Sequence, residues 1–495
     1  MGLRGDEEDE STLAGLATGV NTFFLIFSGT MVFFMQAGFA MLCAGSVRQK
    51  NVKNIMLKNL LDACGGAIGF YTLGWGFAYG GDDEPDNTFI GNSYFGLRDF
   101  DDYALFFFQW AFAATAATIV AGTVAERCKM AAYLCYSLFL TAFVYPVVAH
   151  ALWSSNGFLS AFTQGDKFQD IGTIDFAGSG IVHMTGGCTA LIAAIILGPR
   201  KGRFYDEDGN PLEEPAVFPA HSTSLQMLGT FILWVGWYGF NPGSALAISD
   251  EGAAAIAALC LVTTTLGAAG GAVSAMFTDS IMEAMKTGET SYDLTMAMNG
   301  TLSGLVAVTA GCSVLTPWMA LITGVIGGWV YIGFSKFLIK MKIDDAVDAV
   351  PVHFANGFWG VIAVGLFANG GLVEQAGYQP EGKFFEGLFY EWAGTGGTDW
   401  NIFIAQIASL GFILGWVTVL MTPFFYMLLV LGMFRVDPLE EEVGLDISHH
   451  RGEAYDISGS AKKEDVEELM ETRASRHGKV EVPKEVAQAA DDAEA

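Results

Sequence analysis

Leu294-Thr-Met-Ala-Met-Asn-Gly-Thr-Leu-Ser-Gly-Leu-Val-Ala-Val-Thr-Ala-Gly-Cys-Ser-Val-Leu-Thr-Pro-Trp-Met-Ala-Leu-Ile-Thr-Gly-Val-Ile-Gly-Gly-Trp-Val-Tyr-Ile-Gly-Phe-Ser335 runs without one charged side chain. As a single α-helix it would be about 60 Å long, twice the ~30 Å hydrocarbon core of a bilayer. Gly311 and Pro317 interrupt it near the middle, so it reads as two membrane helices joined by a short turn. The same criterion applied outward predicts eleven apolar segments, near 13–43, 59–80, 104–124, 131–153, 176–198, 222–246, 253–279, 294–310, 314–336, 349–370 and 402–434. Apolar residues are 52% of the chain and charged residues 16%, where soluble proteins carry about 25% charged residues. That deficit excludes a soluble globular chain and a disordered one, and a net charge of −28 argues against nucleic-acid partners. The segments are too long and too continuously apolar for a β-barrel. The fold class expected is an all-α polytopic membrane protein.

The basic residues orient it, because Lys and Arg favour cytoplasmic loops. Alternate loops carry Arg48, Lys50, Lys53 and Lys58, then Arg127 and Lys129, then Arg200, Lys201 and Arg203, then Lys286, then Lys336, Lys340 and Lys342; the other loops carry only Arg98, Lys167 and Lys383. The N-terminus is therefore expected outside and the C-terminus inside. The acidic start, Gly5 to Glu10, does not resemble a secretory signal peptide. None of the seven cysteines forms a Cys-x-x-Cys pair, and most sit in apolar runs as small buried hydrophobes.

Ionisable side chains at membrane depth are costly, at about 2.5–3.5 kcal/mol or more, so each is informative. His183 lies eight residues beyond Asp175, about 12 Å along the fifth helix. His353 lies five residues beyond Asp348 on the tenth. One embedded imidazole is often only a hydrogen-bonded packing residue. Two, each preceded by an acid near a helix start, suggest a pair that donates and accepts between its rings and relays a proton or binds a small polar molecule. No third ligand has metal-site spacing to either. Asp175 has two compatible readings, a helix cap and a carboxylate that handles a cation. Asp348 reads as a helix cap. Phe112, Trp153, Trp237, Phe240 and Ser244 belong to aromatic runs with small polar groups. They suit an interfacial aromatic belt or a cation–π cage for a small onium ion, completed by a hydroxyl acceptor.

These residues carry a resemblance. Phe108-Gln-Trp-Ala-Phe-Ala113, Val124-Ala-Glu-Arg127, Phe143-Val-Tyr-Pro-Val-Val-Ala-His-Ala-Leu-Trp-Ser154, Asp175-Phe-Ala-Gly-Ser-Gly-Ile-Val-His-Met-Thr-Gly-Gly187, Gly236-Trp-Tyr-Gly-Phe-Asn-Pro-Gly-Ser244 and Asp348-Ala-Val-Pro-Val-His353 stand in order along the chain. The sequence resembles ammonium transporters of the Amt/Mep/Rh superfamily, nearest to the plant and algal high-affinity type, from its first span to about Tyr455. The resemblance implies a right-handed bundle of eleven helices, in which helices 1–5 and 6–10 form inverted halves and the eleventh lies obliquely outside. It implies a homotrimer in the plasma membrane with one pore per subunit. Trp153, Phe112 and Ser244 would form an external recruitment site for NH4+, with Asp175 the acid near it. Phe112 and Phe240 would be the gate, Trp237 a pore-lining residue, and His183 and His353 the twin-His pair.

A dry pore favours neutral NH3, because moving an intact small cation into hydrocarbon costs tens of kcal/mol. The expected mechanism is recruitment as NH4+, deprotonation, and separate passage of NH3 and H+, giving electrogenic uptake. Its rivals are an electroneutral gas channel of the Rh kind and an ammonium sensor. No motif of a hydrolase or metalloprotease is present, so neither enzymatic activity nor a cofactor or metal is expected.

The domain reading is an acidic extracellular N-terminus over 1–12, a transporter domain over 13–434 and an acidic cytoplasmic tail over 435–495. From Asp437 onward there are 17 Asp/Glu against 7 Lys/Arg. Gly444-Leu-Asp-Ile-Ser-His-His-Arg-Gly-Glu-Ala-Tyr455 resembles the family's regulatory segment, which docks beneath the neighbouring subunit; Ser448 stands where a phosphorylatable hydroxyl is found, implying a kinase or other regulatory partner. Arg451 replaces a typical Gly and Glu453 a typical apolar residue. A short charged helix is expected over 461–477. Acidic external loops, Asp82–Asp86 and Asp99–Asp102, read first as solvated surface, with enrichment of cations at the pore mouth as the alternative.

Overall fold

The computed structural model describes residues 3–81, 87–163, 165–392 and 400–455. The loop 82–86, the helix expected over 461–477 and the rest of the acidic tail lie outside the described residues, as do the side chains of 3–11. Among the described residues the regular structure is helical, with isolated bridges in place of strands.

Every apolar segment becomes a helix. We number them α1 (Leu3–Ser46), α2 (Val52–Gly69), α3 (Tyr103–Thr123), α4 (Met130–Trp153), α5 (Ser179–Leu197), α6 (Thr223–Gly243), α7 (Glu251–Thr287), α8 (Leu294–Thr309), α9 (Pro317–Lys340), α10 (Val350–Phe367) and α11 (Asn401–Val430). Eight of them are long and apolar enough to cross a membrane: α1, α3, α4, α5, α7, α9, α10 and α11. The chain is thus a membrane protein. The apolar α8 is shorter, at 16 residues. Helix α2 carries Lys53, Lys58 and Asp62, and α6 carries Gln226, Thr230 and Asn241, which lowers their mean hydropathy. Starts are capped by local chemistry: Asp102, Ser222, Asp250 and Asp293 each accept a backbone N–H from the first turn of α3, α6, α7 and α8. Asp102, read as part of an acidic surface loop, is one of these caps.

Lys58 is not a loop residue. It lies within α2, fully buried, and its Nζ donates to the Cys128 carbonyl in the loop between α3 and α4 at 2.8 Å.

Helix α1 packs along α6, α7 against α8 and α9, and α11 across α5 and α10. Glycine permits the closest of these crossings. A Cβ on Gly304 would lie 2.1 Å from the Gly267 carbonyl oxygen, and one on Gly271 2.2 Å from that of Gly300. Helices α7 and α8 therefore meet backbone to backbone, the small-residue mode expected where lipid supplies no hydrophobic drive between helices.

Four π-helical segments stand out. Phe70–Gly74 extends α2 into Trp75–Tyr79 and faces Leu140–Val144 inside α4. Ser179–Met184 opens α5 and faces Val350–Ala355, which opens α10. A π-turn inserts an extra residue into the helical repeat and commonly marks a functional place. The second pair holds both embedded histidines.

On the face that carries residues 435–455, short loops are tied by buried ions. Arg200 grips Asp344 bidentately at 2.8 and 2.9 Å and approaches Glu126 at 3.6 Å. Arg127, fully buried, donates to the carbonyls of Thr123, Ala125, Gly198 and Asp344. Burial alone would raise the Asp344 carboxyl, but Arg127 and Arg200 overcome it and hold the group well below the usual carboxylate range. Glu126 is lowered in the same way, against its burial, by Arg200 and Arg48.

The segment after α11 docks on the start of α2 in its own chain. Asp437 and Glu440 form a capping box for Pro438–Val443. Leu445 N–H donates to Asn51 Oδ1, and the Asp446 carboxylate accepts the N–H groups of Lys53 and Asn54, all at 2.9 Å. Ser448 is buried on this surface, in Leu445–His450. Arg451 adopts a left-handed backbone, φ 59°, which explains why glycine suits its position.

Candidate functional site

Asp175, Gly178 and His183 share one local design with Asp345, Asp348 and His353. In the first, Asp175 Oδ2 accepts the N–H groups of Gly180 and Ile181 at 3.0 and 2.9 Å, Oδ1 accepts that of Gly178 at 3.1 Å, and Gly178 turns through φ 100°. In the second, Asp345 Oδ2 accepts the N–H of Val350 at 2.6 Å, and Asp348 turns through φ 59°. Each acid lies eight residues before its histidine and caps the π-helical turn that presents it. The cap of α10 is therefore Asp345, not Asp348. Asp348 instead accepts from Tyr331 Oη and Ser335 Oγ on α9, at 2.9 and 3.0 Å. Because α5 begins only at Ser179, His183 sits about 6 Å into its helix, not 12 Å.

These turns bring the two imidazoles together. His183 Nδ1 and His353 Nδ1 are 3.2 Å apart, with ring centroids 5.2 Å apart and planes within 17°. Two nitrogens at that distance require one N–H donor and one lone pair, so the rings share a proton between opposite tautomers. His183 Nε2 is buried and has no hydrogen-bond partner among the described residues.

Above the pair lies an aromatic stack. Phe240 is 5.5 Å from His183, and Phe112 lies on Phe240 at 4.0 Å and 24°. Trp237 flanks His183 at 5.2 Å and 16°, its indole N–H held by Thr309 Oγ1 at 3.0 Å. Trp153 meets Phe112 edge to face at 5.9 Å and 73°. Its Nε1 donates to the Asp175 backbone carbonyl at 2.7 Å, which fixes the ring. Phe112, Phe240 and Trp237 are essentially sealed from solvent.

Two cavities bracket this column. The outer one, about 350 Å³, is lined by Phe112, Trp153 and Ser244 together with Phe108, Gln109 and Phe176. Ser244 Oγ donates to the Phe240 carbonyl at 2.9 Å, so its lone pairs remain for an incoming donor. The inner one, about 20 Å³, is lined by His353 with Phe39, Cys43, Thr118, Asn299 and Val352. Asp175 lies behind Trp153, both carboxylate oxygens engaged by backbone N–H groups; its geometry is that of the cap. Asp345, Asn299 and Thr118 were not singled out from sequence. For Asp345 the signal was present, as the eight-residue spacing to histidine that Asp175 also has.

Aromatic faces and a hydroxyl at an outer cavity, with paired imidazoles beneath, form one column through a polytopic membrane protein. Residues 22–455 match the Ammonium Transporter Family. The chain is 43% identical over 463 residues to ammonium transporter 1 member 3 of Solanum lycopersicum, covering 91% of this chain and 96% of that one. It is 42% identical over 432 residues to ammonium transporter 1 member 2 of Arabidopsis thaliana, covering 84% and 79%. Among solved structures, a sensor Amt protein aligns with a TM-score of 0.74 at 30% identity, over 88% of this chain and 100% of that one. Candida albicans Mep2 aligns at 0.70 and 24% identity over 87% and 88%, a likeness of fold. The chain belongs to the ammonium transporter family.

Proposed function

We propose that the protein takes up ammonium electrogenically by splitting it. NH4+ settles in the outer cavity against the faces of Trp153 and Phe112, where cation–π attraction replaces part of its hydration and the Ser244 oxygen accepts one of its N–H groups. Asp175 acts there by capping the start of α5, with its backbone carbonyl holding the Trp153 indole N–H. Below this point the stacked Phe112 and Phe240 close the path to water. As it reaches the rings NH4+ gives its proton to His183 Nε2, the buried nitrogen with no partner among the described residues, because an unpaired ion beneath this boundary has no solvation. NH3 then passes the rings, and the proton crosses separately by the His183–His353 bridge. Each cycle moves one positive charge inward.

The observation that carries this reading is the 3.2 Å contact between His183 Nδ1 and His353 Nδ1, lying under an aromatic seal. Voltage-clamp current measured against ammonium concentration and external pH tests it. A saturable inward current that follows NH4+ is expected; ammonia flux without current would leave an electroneutral channel, and binding without flux a sensor.

The wider architecture goes with this reading. Eleven helices cross the plasma membrane, as two inverted sets of five and an oblique last one. Residues 1–12 face the outside, 13–434 form the transporter domain, and 435–495 form the cytoplasmic tail. Three copies assemble as a trimer. The docked segment couples transport to modification at Ser448, whose hydroxyl is buried against α2. A phosphate there, at about −1.5 to −2 charges, cannot stay in that seat, so a kinase must act on the undocked segment. Ser448→Asp is expected to reduce ammonium current about tenfold at unchanged surface expression; wild-type current in that variant would remove Ser448 from regulation.

A further inference from the structure

The proton that reaches His353 must leave through a wall, and the wall of the inner cavity is not uniform. Most of it is apolar, but Asn299 lines it on α8, its amide donating to Tyr331 Oη at 2.9 Å, and Thr118 and Cys43 line it on the side of α3 and α1. Behind them, on α2, lies Asp62, fully buried. Thr118 and Ser137 lie near its carboxyl, the Thr118 hydroxyl engaged with Gln36 Oε1 at 2.6 Å, and Tyr133 Oη donates to its Oδ2. Asp62 Oδ1, Asn59 Oδ1, Ser137 Oγ and Tyr136 Oη have no hydrogen-bond partner of good geometry among the described residues. Each such group costs about 1–3 kcal/mol if it stays unmet. Several together, around a carboxyl at membrane depth, are too many for a packing site and suit a site that handles water and protons.

We infer that Asp62 is a proton-accepting residue on the inner side of the conduit, taking the proton that leaves His353 and passing it toward the loop between α3 and α4. The inference rests on the reading of separate NH3 and H+ passage. The inner cavity has room for about one water molecule, which bridges His353 to the Thr118 side. The His353 imidazolium N–H gives its proton to that water, the Asp62 carboxylate becomes a carboxylic acid, and the acid then returns the proton to water on the loop side. One proton moves and no electron does. The way onward is marked by Lys58, one helical turn away on the same face of α2, whose ammonium reaches the Cys128 carbonyl. The groups facing Asp62 are Lys58 on its own helix, Cys43 on α1, Thr118 on α3 and Tyr133, Tyr136 and Ser137 on α4. Lys58 is the cation among them.

By contrast, Asp348 has its carboxylate already held by Tyr331 and Ser335.

The test uses the full chain in proteoliposomes, with ammonium-evoked current and luminal pH recorded on the same vesicles. Asp62→Asn is expected to lower the current by about tenfold or more while ammonia still enters, so that the lumen turns alkaline where the wild-type protein, which imports the proton with the ammonia, leaves its pH nearly unchanged. Asp62→Glu is expected to restore most of the current. Tyr133→Phe, which keeps the ring and removes only the donor to Oδ2, is expected to shift the pH dependence of the current and leave alkalinisation alone. Wild-type current in a folded Asp62→Asn protein overturns the inference and leaves the reading above standing. Loss of current with no luminal alkalinisation in its place, and no rescue by Asp62→Glu, overturns it as well, as mere structure. Should Asp62→Asn not fold, an unshifted pH profile in Tyr133→Phe overturns it. A wild-type protein that alkalinises the lumen without current overturns both.

Discussion

Ammonium-evoked current is expected to fall about a hundredfold when His183 and His353 are both replaced by leucine. The two rings are joined nitrogen to nitrogen at 3.2 Å, and each is buried. Leucine approaches the imidazole in volume, so the column between Phe240 and Phe39 stays filled and dry. What it removes is the one pair of groups in that column, among the described residues, able to bind and release a proton in turn. Neutral ammonia needs no such group. The double variant is therefore expected to pass ammonia down its gradient, seen as luminal alkalinisation, while charge no longer accompanies it. Alanine in place of leucine is the informative contrast. Two truncated side chains open a polar-ended void large enough for water, and a wet path carries ions without selection. Unchanged current in a correctly folded leucine variant would take the imidazoles out of the proton path.

The pairing of these rings shows where sequence is legible and where it is not. Both histidines could be named in advance, because an ionisable residue inside a long apolar segment has few reasons to be there; Trp153, Phe112, Phe240 and Ser244 stood out only in aromatic runs, and the resemblance gave them their places. The helices were legible for the same reason, to within a few residues at most boundaries. Depth along a helix was not. His183 counted from Asp175 as though the chain were helical throughout, yet the capped turn through Gly178 delays the helix to Ser179. The cap of α10 was misassigned because Asp345 and Asp348 lie three residues apart, and only the backbone turn at Asp348 tells which carboxylate faces the free N–H groups. Lys58 and Asp62 were hidden by a different effect. Near the edge of an apolar segment a charge is expected to reach out to water, but here α3 and α4 close over both residues. Tertiary cover of that kind leaves no trace in local composition.

Cover also governs the second large effect, on stability. Asp344 is the anion that the buried Arg200 grips with two hydrogen bonds, and the fully buried Arg127 lies 4.0 Å from it. Asp344→Asn keeps the shape and removes the charge, leaving the guanidinium groups of Arg127, Arg200 and Arg203 facing one another, with Glu126 beside Arg200 alone of the three. Breaking one partner out of a buried pair costs about 3–5 kcal/mol. A drop of that size is expected in the unfolding free energy, read as a lower apparent melting temperature of the purified protein at neutral pH. Acid supplies the independent check. The folded carboxyl is held below its ordinary value, so its contribution is present above the unfolded pKa of about 3.9 and is lost as pH falls through the lower folded value. The wild-type protein is thus expected to lose stability below about pH 4. Asp344→Asn, having nothing left to protonate there, is expected to lose less over the same range, so that the two melting curves converge in acid. Parallel curves would mean that the loops on this face are held by the carbonyl contacts of Arg127 and not by the ion pair.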